Sequence, residues 1–306
     1  MRHRLARAGS TVLLALSLAA APSPARASLY QIVDLGSLGG LPGSGAVALN
    51  GQGESVGYSF VPGGLVHAML NRTGTVIDLG TLGGSQSLAR AINRHGDVVG
   101  WAYRSGETTP RAFLWRNGQM SDLGSFGGAR SDANDINATG TVVGSAFDSL
   151  GRERAFFWSS GALQDLGTLG GSQSRANAIN DWGDIVGMAA TPQNDRFHAF
   201  LAKPGSPLVD LGTLGGYTSY AHDVNLSTQV CGWSQISLLT AESRGFLWTN
   251  GVLKSIGTLG GMYSAAFGLN DAGRRGGCEH ARRWFDGRHP VAAEPTDGSQ
   301  LTRLRR

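Results

Sequence analysis

Apolar stretches of five or six residues, separated by glycine-rich polar turns, recur from about residue 30 to residue 285. One unit shows them in order: 176–180 (ANAIN), 184–189 (DIVGMA), 198–202 (HAFLA) and 208–212 (LVDLG). None keeps a helical period, and short runs bounded by turn residues predict strands. The first and second strands join through N-x-x-G, as in Asn93 to Gly96, Asn137 to Gly140 and Asn180 to Gly183. That spacing suits a type I turn closed by a bulge, with glycine at the left-handed position. Asn117-Gly118, Ser160-Gly161 and Asn250-Gly251 join the third strand to the fourth as tight hairpins. Glycine makes up 47 of 306 residues; its regular placement marks it as punctuation between strands.

The pattern repeats. DLGSLGG at 34–40 returns as DLGTLGG at 78–84, DLGSFGG at 122–128 and DLGTLGG at 165–171 and 210–216, with a sixth copy, SIGTLGG, at 255–261. Successive offsets of 44, 44, 43, 45 and 45 residues are those of four-stranded propeller blades. Tyr30–Gly36 is a fourth strand with no first three before it. The stretch after Gly261 supplies first-strand residues (265–270) and a third-strand-like segment (280–285), but no closing DLG strand. The expected fold is therefore an all-β, six-bladed propeller of ~44-residue four-stranded repeats, its last blade degenerate and closed by the N-terminal strand. An open β-solenoid is the alternative, and it has no need of such an overhang.

Within each unit the leucines of D-L-G-T-L-G-G, such as Leu79 with Leu82 and Leu123 with Phe126, are expected between blades. Burying each stabilises by roughly 1.5–3 kcal/mol. Ala89, Ala91, Ala176 and Ala178 suit a crowded inner edge, and Trp115, Trp158 and Trp248 suit packing. The sixth unit departs from this plan. Gly273-Arg274-Arg275-Gly276-Gly277 stands where others read G-D-V-V-G, and 14 residues separate Asn270 from Trp284 against 22 between Asn93 and Trp115. Arginines in place of buried valines weaken that second strand, whether the unit is a worn cap or a damaged reading frame.

The DLGTLGG string, the A-I-N first strand and His198-Ala199-Phe200, with its variants Arg111-Ala112-Phe113 and Arg154-Ala155-Phe156, resemble the HAF family of extracellular bacterial repeats. The resemblance covers about Tyr30 to Phe285. It implies export and carries no assigned biochemical activity. Some proteins of this kind end in a sorting signal with a membrane helix; the Leu304-Arg305-Arg306 end here lacks one.

The first 27 residues fit that implication. Arg2, His3, Arg4 and Arg7 precede an apolar run from Thr11 to Ala21, then Pro22, Pro24 and Ala25-Arg26-Ala27, a secretory signal with cleavage expected after Ala27. The run is too short to span a bilayer, and no later apolar run is long enough, so no transmembrane helix is expected after cleavage. The domain reading is 1–27 signal, 28–290 propeller and 291–306 a basic tail, with an extracellular or periplasmic destination. Of 26 Lys and Arg against 22 Asp and Glu, four Arg lie in the leader, so the mature chain balances at 22 of each and has no nucleic-acid footprint. Cys231 and Cys278 match no zinc spacing, and export would permit a bridge between them.

Polar residues that recur once per unit point to structure. Aligned on the hairpins, His67 lies diagonal to Asp78, Arg111 to Asp122 and Arg154 to Asp165, so three structural Asp–Arg/His pairs are expected. The A-I-N asparagines are expected to form turns. No Walker loop, dinucleotide fingerprint or D-x-D-x-D-G loop occurs, and no cofactor or metal is implied. The loops between second and third strands differ in every copy. The position after the VVG glycine is Tyr58, Trp101, Ser145, Met188 and Trp233, which offers an uneven platform for stacking on a sugar or a peptide side chain. Tyr58, Trp101, Met188 and Trp233 are the candidate ligand-binding residues, with rim packing as the bland alternative. The function expected is a non-enzymatic binding or structural propeller whose partner is a polysaccharide, an envelope component or a protein. The alternative is a secreted glycan-active hydrolase or lyase. It requires two carboxyl groups about 5–10 Å apart, and the loop acids Glu107, Asp148, Glu153, Asp195 and Glu242 single out no pair.

Overall fold

A computed structural model describes residues 34–41, 43–194, 196–270 and 281–282. The chain falls into two compact units, 1–34 and 35–306, and every strand belongs to the second. Its described residues contain no helix and form five four-stranded antiparallel sheets and one two-stranded ribbon. Each sheet is one repeat, a blade whose strands pair in chain order: 44–78, 83–124, 127–167, 174–210 and 219–255. In the fourth blade the strands are Ser174–Ile179, Ile185–Ala190, Phe197–Ala202 and Val209–Asp210. The turn residues act as their sequence demands. Gly96 N donates to Asn93 O at 3.1 Å and Asn93 N to Asp97 O at 3.0 Å, while Asn117 and Gly118 both take positive φ (52° and 81°) in a hairpin turn.

Successive blades pack face to face through shared apolar cores, the arrangement of a propeller-type fold. Leu79 of the first blade joins Val98, Phe113 and Trp115 of the second. Leu123 of the second joins Ile136, Val142 and Phe156 of the third. The same exchange repeats at the next two junctions, around Phe200 and Phe246. The phenylalanine of each H/R-A-F tripeptide is thus the fully buried centre of a junction.

Two polar ladders lock the junctions. Ser87, Ser131, Ser174, Ser219 and Ser264, each two residues before the alanine of a first strand, accept a hydrogen bond from the third strand of the preceding blade. The donors are Ala68, Ala112, Ala155, Ala199 and Gly245, at 2.8–2.9 Å. Each hydroxyl then donates to the DLG or SIG glycine carbonyl seven residues upstream, at 2.5–2.6 Å. The asparagines form the second ladder. Asn50, Asn93, Asn137, Asn180 and Asn225 each donate from Nδ2 to the carbonyl of the next one, ending at Asn270, over 2.9–3.3 Å. Their Oδ1 atoms accept the turn amides two and four residues on, as at Asn137 with Thr139 and Thr141, so one side chain shapes its own turn and grips the neighbour.

The first strand of each four-stranded blade carries a bulge at Val47, Arg90, Asn134, Asn177 or His222, where pairing to the second strand skips one residue. Beside it the second-strand glycine presses on the first strand. A Cβ on Gly57, Gly100, Gly144, Gly187 or Gly232 would lie 1.9–2.0 Å from a first-strand carbonyl oxygen, so the VVG glycine is a steric necessity. First strands of neighbouring blades lie against one another and form the inner edge of the array.

The sixth unit is reduced. Ala265–Ala266 pairs directly with Ala281–Arg282, so the expected second strand has no place between them. A segment carrying Arg274 and Arg275 cannot supply the buried valines of that strand, and 14 residues are too few for the full meander. Tyr30–Val33 and 283–285, on which ring closure was read, lie outside the described residues, as do the signal, the tail 291–306 and Cys278. Cys231 is fully buried with Ala266 in the core of the last junction. No helix of the described residues is long and apolar enough to cross a membrane.

Candidate functional site

The bulges and the VVG glycines fix one tier at the same register in every blade. Tyr58, Trp101, Ser145, Met188 and Trp233 face Gly45, Leu88, Asp132, Arg175 and Tyr220 across the first two strands. The three aromatics and Met188 are half-buried, and Ser145 is buried. Each ring finds its partner inside its own blade. Trp233 stacks on Tyr220 with centroids 4.5 Å apart, Trp101 lies 5.5 Å from Tyr103, and the Tyr58 ring covers Gly45, where a Cβ would lie 2.8 Å from it.

Charge concentrates around the same tier between the second and fourth blades. Arg175 Nη2 lies 2.7 Å from Glu153 Oε1, which also accepts from the Ser145 hydroxyl at 2.7 Å. Arg130 Nε lies 2.8 Å from Asp132 Oδ2, and Arg90 Nη2 lies 3.7 Å from Asp132 Oδ1. The arginine side chains are 40–48% exposed, whereas Asp132 and Glu153 are 8% and 13% exposed. Guanidinium groups therefore cap carboxylates that lie beneath them. Burial holds Arg90 below the usual guanidinium range; Asp132 opposes this, and the Arg175 and Arg130 charges add to it. Arg130 is raised by its hydrogen bond to Asp132, against the cost of burial. Arg90 Nε and Asp132 Oδ1 are buried with no hydrogen-bond partner.

Further along the first strands, the bulge side chains cross to the next blade. Asn134 and Asn177 donate to Ala176 O and Ala221 O, both at 2.7 Å, and His222 lies against Phe267 with ring centroids 4.8 Å apart. His222 Nε2 is buried without a partner, and burial pushes its pKa down to about 4. Asp135 and Asp223, one residue past their bulges, accept the next blade's Ile179 and Leu269 amides at 2.9 and 2.6 Å. Burial pushes Asp135 up to about 7; the Ile179 and Ile136 amides oppose this, and Asp223 and Asp181 add to it. The varying residue inside the A-x-A/D pattern was the available signal for these groups, hidden because alternation alone places no bulge.

Of the expected structural pairs, His67 and Asp78 meet at 2.9 Å, and Arg154 and Asp165 at 2.9 Å, with His198 and Asp210 repeating the contact at 2.8 Å. The DLG aspartates also accept the glycine amide two residues on, at 2.7–2.8 Å. Phe113 stands opposite Asp122 as expected, but Arg111 and Asp122 do not pair, which corrects the expected contact. Arg104, standing where other blades have Val61, Asp148, Thr191 or Ile236, takes Asp122. Arg111 turns instead to Glu107 at 3.3 Å, to Ser125 Oγ at 2.9 Å and to Gly128 O at 3.2 Å. The loop acids are likewise engaged: Glu107 by Arg104 and Arg111, Asp148 by Arg152, Glu153 by Arg175, and Glu242 by Arg244. Asp195 lies outside the described residues. Among the described residues, no three His, Cys, Asp or Glu side chains converge as a metal site requires.

No protein-family model matches the sequence, and no curated protein is similar to it. Among solved structures, the chain is similar to TolB from Acinetobacter baumannii, with 15% identity over 67% of this chain and 50% of that one and a TM-score of 0.44. A putative TolB from Agrobacterium tumefaciens gives 12% identity, 65% and 79% coverage and a TM-score of 0.42. The gluconolactonase XC5397 from Xanthomonas campestris gives 14% identity, 76% and 81% coverage and a TM-score of 0.39. The chain spans half the length of the first of these.

Proposed function

We propose that this chain is an exported, non-enzymatic binding protein of the HAF-repeat kind. In this reading a six-bladed ring, closed by Tyr30–Gly36, presents the second-strand tier and its variable loops to a polysaccharide, an envelope component or a protein. One observation carries the reading. The polar residues that recur in most blades (the ladder serines and asparagines, the DLG aspartates) are committed to hydrogen bonds within and between blades. At the tier of Tyr58, Trp101, Ser145, Met188 and Trp233 no two blades present the same cross-strand pair. A ligand breaks symmetry, and here the symmetry breaks on half-exposed aromatic and charged groups. Export is supported by the composition of residues 1–27. Arginine partners on Glu107, Asp148, Glu153 and Glu242 favour ion pairs over a free acid–base couple.

The test is a glycan and envelope-extract array on residues 28–306, with Trp101→Ala and Trp233→Ala alongside. Loss of a stacking ring is expected to weaken the responding signal about tenfold, ~1.4 kcal/mol, while the melting temperature stays near wild type. Unchanged signals in both variants would remove these residues from the site.

A further inference from the structure

Resting on that reading, we propose that the ligand is a carboxylated saccharide, its carboxylate held by Arg90, Arg130 and Arg175 on the inner edge of the second to fourth blades. Three observations converge there. The cluster is unbalanced, with three guanidinium groups against the carboxylates of Asp132 and Glu153. Its exposure is asymmetric, since the acids lie beneath and the arginines are 40–48% exposed, so an approaching molecule meets cationic groups. Its hydrogen bonding is incomplete: Arg90 Nε lacks an acceptor and Asp132 Oδ1 lacks a donor, both buried.

Arg90 Nε, buried without an acceptor, shows that the Arg90 side chain is not fully tied to an internal acid, and the three arginine side chains stay 40–48% exposed. A carboxylate on their exposed edge neutralises the surplus charge with charge-assisted hydrogen bonds. A uronate carries that carboxylate on a sugar ring. Arg90 lies 3.7 Å from Asp132, beyond a hydrogen bond, so the ligand has no tight ion pair to break there. The flanking rings favour a sugar over an acidic peptide. Trp101 with Tyr103 belongs to the second blade and Tyr220 with Trp233 to the fifth, on either side of the arginines, and a pyranose face stacks on such rings where a glutamate side chain has none to offer. Burial raises the Tyr220 hydroxyl and the Arg175 charge opposes it, so its field reaches the aromatic pair.

The experiment measures binding of a hexuronate trisaccharide, the same trisaccharide reduced at its carboxyls to the neutral sugar, and hexaglutamate. The proteins are residues 28–306 in wild-type form and as Arg90→Gln and Arg130→Gln, each checked for an intact melting transition. The acidic trisaccharide is expected to bind at least tenfold tighter than its reduced form and to weaken with added salt. Arg90→Gln is expected to abolish that tenfold preference without weakening the reduced sugar. Arg130→Gln, which removes the most exposed of the three side chains, reads the same contact should the first variant unfold. Equal binding of acidic and reduced sugar would overturn the carboxylate and leave the binding reading intact. Hexaglutamate matching the trisaccharide would overturn the saccharide. Wild-type protein binding none of the three would overturn the proposal, while the array would still judge the wider reading.

Discussion

Ser174→Ala is the sharpest test of how the blades are joined. The Ser174 hydroxyl accepts from Ala155 N at 2.9 Å and donates to Gly167 O at 2.6 Å. Both Ser174 and Ala155 are buried, at 1% and 0% exposure, so water has no route to replace the oxygen. Alanine removes one bond worth about 0.5–1.5 kcal/mol and orphans a buried amide at a cost of about 1–3 kcal/mol. The expected loss is therefore about 2–4 kcal/mol. At ~2–4 °C per kcal/mol for a chain of this size, the melting temperature should fall by about 5–15 °C. Urea unfolding followed by tryptophan fluorescence measures the first quantity. Hydrogen exchange at the Ala155 amide localises it, since that proton should lose protection more than its neighbours. Ser206→Ala, on an exposed hairpin of the same blade, is the control. A Ser174→Ala loss within about 0.5 kcal/mol of the control, the range of ordinary surface changes, would refute the claim that this hydroxyl fastens one blade to the next.

Asn137→Asp keeps the oxygen that receives Thr139 and Thr141 but replaces the amide that reaches Asn180 O; it should cost about 1–3 kcal/mol in urea unfolding, and a neutral result would mean the ladder is incidental. Gly144→Ala places a methyl 2.0 Å from Asp132 O and should destabilise by about 3 kcal/mol or more in the same assay. Asp135 and His222 give opposed pH dependences. Asp135, raised to about 7, holds a proton in the folded chain that the unfolded chain has released above its ordinary pKa, so its contribution to stability falls as pH rises from about 4 to about 7. His222, lowered to about 4, stays neutral where the unfolded chain is protonated, so its contribution rises over about pH 4 to 6.5. Asp135→Asn should therefore steepen the gain in stability with pH and His222→Gln should reverse it, measured by denaturation at stepped pH; identical profiles for the two variants would contradict both assignments.

Much of the fold is legible because each turn announces itself. Asn93 to Gly96 and Asn117-Gly118 fix where strands end, and the recurring DLG string counts the blades. The junction serines were legible too and were missed. S-x-A stands in every unit, from Ser44 and Ala46 to Ser264 and Ala266, but a lone serine among loop-like residues carries no apolar signal. The candidate site was harder to see. Trp101 and Trp233 stood out as aromatics, whereas Arg90, Arg130 and Arg175 are scattered in sequence and meet only because bulged first strands lie side by side. Arg111 failed as a partner of Asp122 because pairing followed the repeat, while Arg104 occurs in one blade alone and reaches the carboxylate from the second strand. In the sixth unit the arginines at 274 and 275 were read as weakening a strand, but nothing in the sequence marked Ala281–Arg282 as the partner of Ala265–Ala266.

The asparagine joins each run from a residue to its counterpart 43 to 45 positions along, and the serine joins cross the same seams between residues 19 or 20 apart. Such a join is indifferent to how many modules the gene encodes. Duplicating or deleting one whole unit in register would recreate the same seam at the new boundary, leaving no amide or hydroxyl stranded. Unequal recombination can therefore lengthen or shorten this protein with little penalty in the interior, and selection on copy number would fall mainly on the two ends.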